Sequence, residues 1–197
     1  MKTYKKTVNC PKLVIDYDNN AISPRKWNNL GYFITVKNNV YSPDKPFDGM
    51  LENCITTIGN KVESLEKHIE IIKNWFELNT KEKILAIYPV IKYEHSGVVY
   101  KLDTAHGFNY SNNGFYIITD KTQKELGTPK KSFEKIIKQE INTYNRWMNG
   151  EVYSYRLYND AGEVKDSCGG FYDIEDIREY LPKEWAKENL AEYVINN

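Results

Sequence analysis

The sequence has no excess of charge of either sign, because 27 lysines and arginines balance 27 aspartates and glutamates. Without a net charge, no overall field draws the chain to nucleic acid or to an anionic membrane surface. The chain is also not acidic enough to imitate a nucleic-acid duplex through charge alone. Recognition of a charged partner would therefore depend on local patches.

Cysteine is scarce as well. The three cysteines, Cys10, Cys54 and Cys168, are an odd number at wide spacing, without a C-x-x-C or other metal-ligand signature. This usage fits a reducing compartment. The first eighteen residues lack the apolar core of a signal peptide, and no run approaches the ~20 apolar residues of a membrane span. We therefore expect a soluble cytoplasmic protein with no metal, no cofactor and no membrane partner.

Apolar residues are plentiful, at 41% of 197 residues with sixteen tyrosines, so a packed core is available. The length predicts one domain over residues 1–197. Alternating or apolar segments predict strands, and segments with an apolar face at helical spacing predict helices. The predicted strands are 12–18, 31–38, 83–95, 98–102, 114–119, 151–160 and 163–168. The predicted helices are 60–78, 120–126, 132–148 and two short ones after Gly170.

The order of these segments predicts the fold class. Strands come in hairpin-like groups with helices between them, which favours an α+β fold with a largely antiparallel sheet and helices packed on one face. Pro89 interrupts the longest apolar run, and we expect a bulge or an edge position there.

Four blocks of the sequence resemble a family of uncharacterised proteins from phages, plasmids and integrated elements of low-GC Gram-positive bacteria. The blocks are SPRKWNNLGYF, IYPVIKYEHSGVVY, GFYIITDKTQKELG and EINTYNRWMNGEVYSYRLYNDAGEVKDSCGGFYD. Two features differ from the family pattern: Gly169 stands where tryptophan is usual, and the loop from Asp103 to Asn113 is different. The resemblance implies a protein carried by a mobile element, and it brings no catalytic assignment.

His95 and Cys168 are the candidates for catalysis if the protein is an enzyme. A histidine at a strand end is a common general base, and a thiol beside two glycines could be a nucleophile. The simpler interpretations are a turn histidine bonded to a backbone carbonyl and a small thiol packed in the core. His106 lies eleven residues after His95, with Asp103 between them, so across a hairpin the two rings could converge on a metal, but no third ligand is indicated at a meaningful spacing.

Asp16 and Asp18 form a second catalytic candidate. Carboxylates two residues apart on a strand end are the arrangement of two-metal nucleases. No E-x-K partner follows, and Asp-Asn-Asn is also ordinary turn chemistry.

Tyrosine and asparagine are concentrated in the stretch 93–116 and in the hairpin that begins at residue 151. Exposed tyrosine and arginine anchor protein interfaces, whereas cross-strand packing accounts for most tyrosines of a half-buried sheet. We expect a long polar loop after Asp103 to contact a partner. The predicted partner-binding residues are Asp103, His106, Asn109, Tyr110, Asn112, Tyr153, Tyr155 and Arg156.

Three functions follow from these features. The preferred one is a phage or mobile-element protein that binds and inhibits a host defence protein without catalysis. The expected partner is a CRISPR effector nuclease or a restriction complex. The alternatives are a small Cys/His hydrolase or Asp-dependent nuclease, and a module that binds single-stranded nucleic acid or a nucleotide.

Overall fold

The computed structural model describes residues 12–35, 42–44, 65–95, 97–103 and 110–195, with the backbone alone at 65, 68 and 110–113. Contacts divide the chain into two compact units. The terminal unit combines residues 1–22 with 146–197, and the central unit is formed by residues 23–145. A single domain over residues 1–197 stays a prediction.

The described residues form antiparallel strands, α-helices and short 3-10 helices. The strands are β1 Leu13–Tyr17, β2 Tyr32–Thr35, β3 Ile84–Glu94, β4 Val98–Leu102, β5 Tyr110–Thr119, β6 Tyr153–Tyr158 and β7 Val164–Phe171. The α-helices are α1 Leu65–Asn79, α2 Asp120–Leu126 and α3 Phe133–Met148. The 3-10 helices are Pro24–Lys26, Lys130–Ser132, Ile174–Tyr180, Lys183–Trp185 and Leu190–Tyr193. The α+β class that the sequence predicts is confirmed.

The central unit contains a four-stranded antiparallel sheet in the order β2-β5-β3-β4. Its strands are apolar on both faces, as Phe33 and Ile34 of β2 show by being fully buried. Ile34 packs with Ile72 of α1. On the opposite face, Phe33 meets Tyr144 of α3 edge to face, with ring centroids 5.7 Å apart. Helices thus cover both faces of this sheet, whereas the sequence analysis places them on one, because a strand buried on both faces needs cover on both.

Pro89 lies in β3 opposite Phe115 of β5. The ladder between β3 and β4 begins only at Val90, so at Pro89 the other side of β3 has no partner strand among the described residues. A proline, which has no N–H to donate, is tolerated at such a local edge. The predicted edge position is therefore confirmed, while the register shifts of β3 lie on either side of the proline, at Ile84/Ala86 and Val90/Lys92.

Capping residues set the ends of the short helix α2. Thr119 is the N-cap and forms a capping box with Thr122, and Gly127 closes the helix in the left-handed region at φ 62°. None of the helices within the described ranges has the length and apolar character needed to cross a membrane.

The terminal unit contains a three-stranded antiparallel sheet in the order β1-β6-β7. Its core combines Ile15, Tyr155 and Phe171 of the sheet with Ile177 and Trp185 of the 3-10 helices. Arg178 fixes the C-terminal turns: its Nη1 donates to the carbonyl oxygens of Trp185, Ala186 and Glu188 at 2.9, 3.0 and 3.1 Å.

Several segments differ from the sequence prediction. Strands fall into two sheets instead of one. β5 begins at Tyr110, so the predicted polar loop ends earlier than residue 113. β7 continues through Gly169 and Gly170 to Phe171, where we predict a strand exit. In place of the two predicted C-terminal helices there are three 3-10 helices, which pack on the core through Ile177, Trp185 and Leu190.

The packing of two glycines generates a test of these contacts. A Cβ built on Gly31 would lie 2.2 Å from the backbone oxygen of Ile117, and one on Gly169 would lie 2.3 Å from a side-chain oxygen of Asp18. Backbone in a sheet cannot move aside, whereas a carboxylate can. We expect Gly31→Ala to lower the free energy of unfolding by about 2–3 kcal/mol and Gly169→Ala by about 1 kcal/mol. Urea denaturation measures both losses of stability. Equal losses would contradict the conclusion that Gly31 faces fixed backbone and Gly169 a movable side chain.

Candidate functional site

The predicted loop of the stretch 93–116 is only partly described. Asp103 follows β4 directly and is exposed. His106 and Asn109 lie outside the described residues. Tyr110 and Asn112 belong to β5, and the backbone of Tyr110 pairs with Tyr93 of β3. Two of the five loop residues are therefore strand residues, and their role as partner contacts stays a prediction.

The predicted contacts of the β6 strand fall on two faces of the terminal sheet. Tyr155 is 2% exposed and belongs to the core, and its hydroxyl donates to Asp166 at 2.7 Å. Tyr153, on the same face, stacks on Tyr17 with ring centroids 5.3 Å apart. Arg156, on the opposite face, is exposed and pairs with Asp16 at 3.5 Å. Of the three, Arg156 is the most accessible to a partner.

The two candidate catalytic residues lie in different units. His95 is exposed directly after β3, its ring centroid 6.4 Å from that of Tyr93 and its backbone N donating to the carbonyl of Gly97. Cys168 lies in β7 opposite Tyr155, and its thiol is exposed. The simpler interpretation of Cys168, a thiol packed in the core, is wrong, because the residue is exposed.

Asp16 and Asp18 have structural partners. Asp18 Oδ2 accepts a hydrogen bond from the backbone N of Gly170 at 2.9 Å, and Asp18 Oδ1 accepts one from Asn20 at 3.0 Å. The carboxylate therefore closes its own turn and ties β1 to the end of β7. It also lies against Gly169, so a side chain at that position would not fit unless Asp18 moved. Within the described ranges, no three His, Cys, Asp or Glu residues are grouped so that they could hold a metal ion.

Strand β7 is an open edge of the terminal sheet. All its residues from Val164 to Gly170 are exposed, and among the described strands it pairs only with β6. The opposite edge, β1, is covered where Val194 bridges Ile15 and Ile195 N donates to the Ile15 carbonyl at 2.9 Å. Among the described residues, the sheet thus has one covered edge and one accessible edge.

The hydrogen-bond pattern shows which groups of β7 point outward. Tyr158 N donates to Lys12 O, so the even-numbered residues of β6 face β1 and the odd-numbered ones face β7. Asp166 and Cys168, opposite odd-numbered residues, therefore bond β6. Ser167, opposite Arg156, directs both its N–H and its C=O away from the sheet.

A buried arginine organises the central unit. Arg25 has a side chain 4% exposed, and all five of its N–H groups are used. Nε and Nη2 donate to Asp44 at 2.9 and 2.8 Å, Nη2 also donates to the carbonyl of Gly31 at 2.7 Å, and Nη1 donates to Asn29 and Glu140 at 3.1 and 3.3 Å. Burial acts to lower the pKa of Arg25, but the hydrogen bonds and charge of Asp44 outweigh it and raise the pKa.

The local sequence explains how Arg25 reaches this position. Ser23 caps the 3-10 helix that begins with Pro24, and Asn29 Nδ2 donates to the carbonyls of Pro24 and Trp27 at 3.0 and 2.8 Å. Leu30 is fully buried and anchors the end of the loop. The block SPRKWNNLG therefore encodes a closed loop around one arginine. Its signal in the sequence is a capping serine, a proline and an asparagine around Arg25.

A cleft with a volume of about 550 Å³ lies beside this loop, within the central unit. The Arg25–Asp44 pair lines one part of it, and Tyr32 and Glu82 line another. Tyr32 donates to both oxygens of Glu82 at 3.0 Å, and Thr119 Oγ1 donates to Oε2 of Glu82 at 2.7 Å. The remaining lining includes Trp27, Trp75 and Glu125. No local signal in the sequence predicts this cleft, since the residues that line it come from distant segments.

Comparisons with protein-family models, with curated proteins and with solved structures find no match for this chain. The resemblance to mobile-element proteins stays a prediction, as do the hydrolase, nuclease and nucleic-acid alternatives.

The geometry of Arg25 predicts that a lysine cannot replace it. Lysine keeps the charge but lacks the planar fork that bonds Asp44 in two places and reaches Gly31 and Glu140. We expect Arg25→Lys to lower the free energy of unfolding by about 2–4 kcal/mol. The matched control is Arg156→Lys, whose exposed ion pair should change stability by less than about 0.5 kcal/mol. Similar losses in urea denaturation would refute the role of the fork.

The buried tyrosines predict loss of stability at high pH. Burial raises the pKa of Tyr116, and burial together with the hydrogen bond to Glu82 raises the pKa of Tyr32. The unfolded chain loses these protons first, near pH ~10, so stability is full below that pH and falls as the pH rises above it. Tyr32→Phe removes one of these hydroxyl groups. The substitution should reduce the fall in the free energy of unfolding by up to about 1.4 kcal/mol per pH unit. The measurement is the free energy of unfolding of the wild type and of Tyr32→Phe between about pH 8 and 11. The same slope against pH in both proteins would contradict the role of Tyr32.

Proposed function

We propose that this protein acts by binding a partner protein, without making or breaking a covalent bond, and that the partner adds an extended segment to the open edge of β7. The observation that carries the proposal is the row of outward backbone groups around Ser167 on an exposed strand. An exposed sheet edge binds an extended peptide through main-chain hydrogen bonds. Pockets and side chains beside the edge then provide selectivity.

Side chains next to β7 suit such an interface. Tyr180 is 57% exposed and packs edge to face on Phe171, the last residue of the strand, with ring centroids 5.1 Å apart. Val164, at the other end, is also exposed. Exposed tyrosine and arginine contribute large contact area at low entropic cost, and Arg156 lies on the neighbouring strand. Val164, the ring of Tyr180 and the cation of Arg156 therefore lie on or next to β7.

The partner that we propose is a host defence protein, such as a CRISPR effector nuclease or a restriction complex. The resemblance to proteins of phages and plasmids supports this class. The balanced net charge also supports binding by shape and main-chain contact over binding driven by charge. The loop residues predicted from the sequence, Asp103, His106 and Asn109, remain predicted partner contacts.

A proline at position 167 tests the edge directly. Ser167 faces outward, so Ser167→Pro removes a hydrogen-bond donor from the free side of β7 and leaves the ladder with β6 in place. The matched control, Ser167→Ala, removes the hydroxyl and keeps the N–H. We expect the wild type and Ser167→Ala to inhibit DNA cleavage by a purified target nuclease, and Ser167→Pro to lose at least about tenfold in affinity.

The assay would use a panel of purified CRISPR effector nucleases and restriction complexes, with unchanged circular dichroism as the check that Ser167→Pro folds. No binding to any member of the panel would overturn the choice of partner class. Binding that survives Ser167→Pro would instead overturn the edge as the contact surface.

A further inference from the structure

The cleft of the central unit has a chemistry of its own. We infer that it binds a guanidinium group carried on an apolar stem, held between the tryptophans 27 and 75 and the carboxylates of Glu82 and Glu125. This inference does not depend on the proposed function, because it concerns a different surface in the other unit.

Several of the side-chain hydrogen-bond donors that line the cleft are already used. Arg25 spends all five N–H groups on Asp44, Gly31, Asn29 and Glu140. Asn29 spends its amide hydrogens on two carbonyls of its own loop. The Tyr32 hydroxyl donates to Glu82. A ligand that needs donors, such as a phosphate or a carboxylate, therefore finds few of them on this surface.

The acceptors, by contrast, have capacity left. Glu125 is exposed and makes no hydrogen bond or ion pair within the described part of the chain. Glu82 accepts hydrogen bonds from Tyr32 and Thr119. Its Oε1 also lies 3.3 Å from Nζ of Lys121. Each carboxylate oxygen has two lone pairs. Because Lys121 is more than half exposed, its pairing with Glu82 is weak and a ligand can compete with it.

The aromatic walls select among cations. Trp27 is 53% exposed, and Trp75 lines the same cleft. Cations are attracted to the face of tryptophan, and the planar guanidinium can also stack on the ring while its edge donates to carboxylates. An ammonium ion offers no such plane. The volume of about 550 Å³ falls within the range of small-ligand sites, about 300–1,000 Å³, so the stem of the ligand is accommodated with its head.

Two sources could supply this group: a free small cation or an arginine side chain of another protein. The probes that separate them are propylguanidinium and the blocked tripeptide acetyl-Gly-Arg-Gly-amide. Their neutral counterparts, propylurea and the citrulline tripeptide, keep the shape and remove the charge. The protein is titrated with each probe, and the chemical shifts of its NMR signals report binding.

We expect saturable binding of both guanidinium probes and none of the neutral ones. Glu125→Gln should weaken binding about two- to fivefold, as loss of one exposed charge contact does. The matched control is Glu179→Gln, an equally exposed glutamate in the terminal unit, which should leave the affinity unchanged. Tighter binding of the tripeptide than of propylguanidinium identifies a protein arginine as the ligand, and the reverse identifies a free cation.

Three results would overturn the inference. One is the absence of saturable binding to the wild-type protein, and another is equal binding of the charged and neutral probes. The third is an equal effect of Glu125→Gln and Glu179→Gln. Since neither glutamate has a hydrogen bond or ion pair in the described part of the chain, both variants should fold, and their thermal unfolding confirms it.

Discussion

The central unit depends on one guanidinium group that has no donor left unbonded. Arg25 joins its own loop to Asp44 and to Glu140, which is 115 positions away along the chain. The second carboxylate, Glu140, is stabilised in turn by the backbone N of Leu30 and by the Tyr116 hydroxyl. A buried charge is costly unless it is paired and fully hydrogen-bonded, and here both conditions are met. The loop that lines the cleft is consequently fixed by a network instead of by apolar contact alone.

This use of charge constrains what the surface can do. Carboxylates that could serve catalysis, Asp16, Asp18 and Asp44, are hydrogen-bonded to backbone groups or paired with arginine. The described surface also offers main chain at one sheet edge and aromatic rings beside carboxylates at one cleft. Both are features of recognition.

Local signals in the sequence predict most elements. The alternation of residues 12–18 gives β1, Thr119 and Gly127 give the ends of α2, and Pro89 gives a local edge, because each depends on neighbours in the chain. Pairing between distant strands has no such local signal. Periodicity carries no information on which strands become neighbours. That pairing decides the separation into two sheets, the early start of β5 and the exposure of Cys168. The closed loop around Arg25 is intermediate, since the sequence shows its caps but not the two carboxylates that meet there.

The two surfaces differ in what they can distinguish. Backbone groups on the edge of β7 bond any extended chain, so they give affinity with little dependence on the partner's sequence. At the cleft, Glu125 has no hydrogen bond or ion pair among the described residues, so a neutral or anionic group would leave its charge unpaired and a cation would not. Selectivity at this surface therefore comes from charge: Arg25 uses its own donors on Asp44, Gly31, Asn29 and Glu140 and offers none to a ligand, while the carboxylate of Glu125 still has its acceptors available.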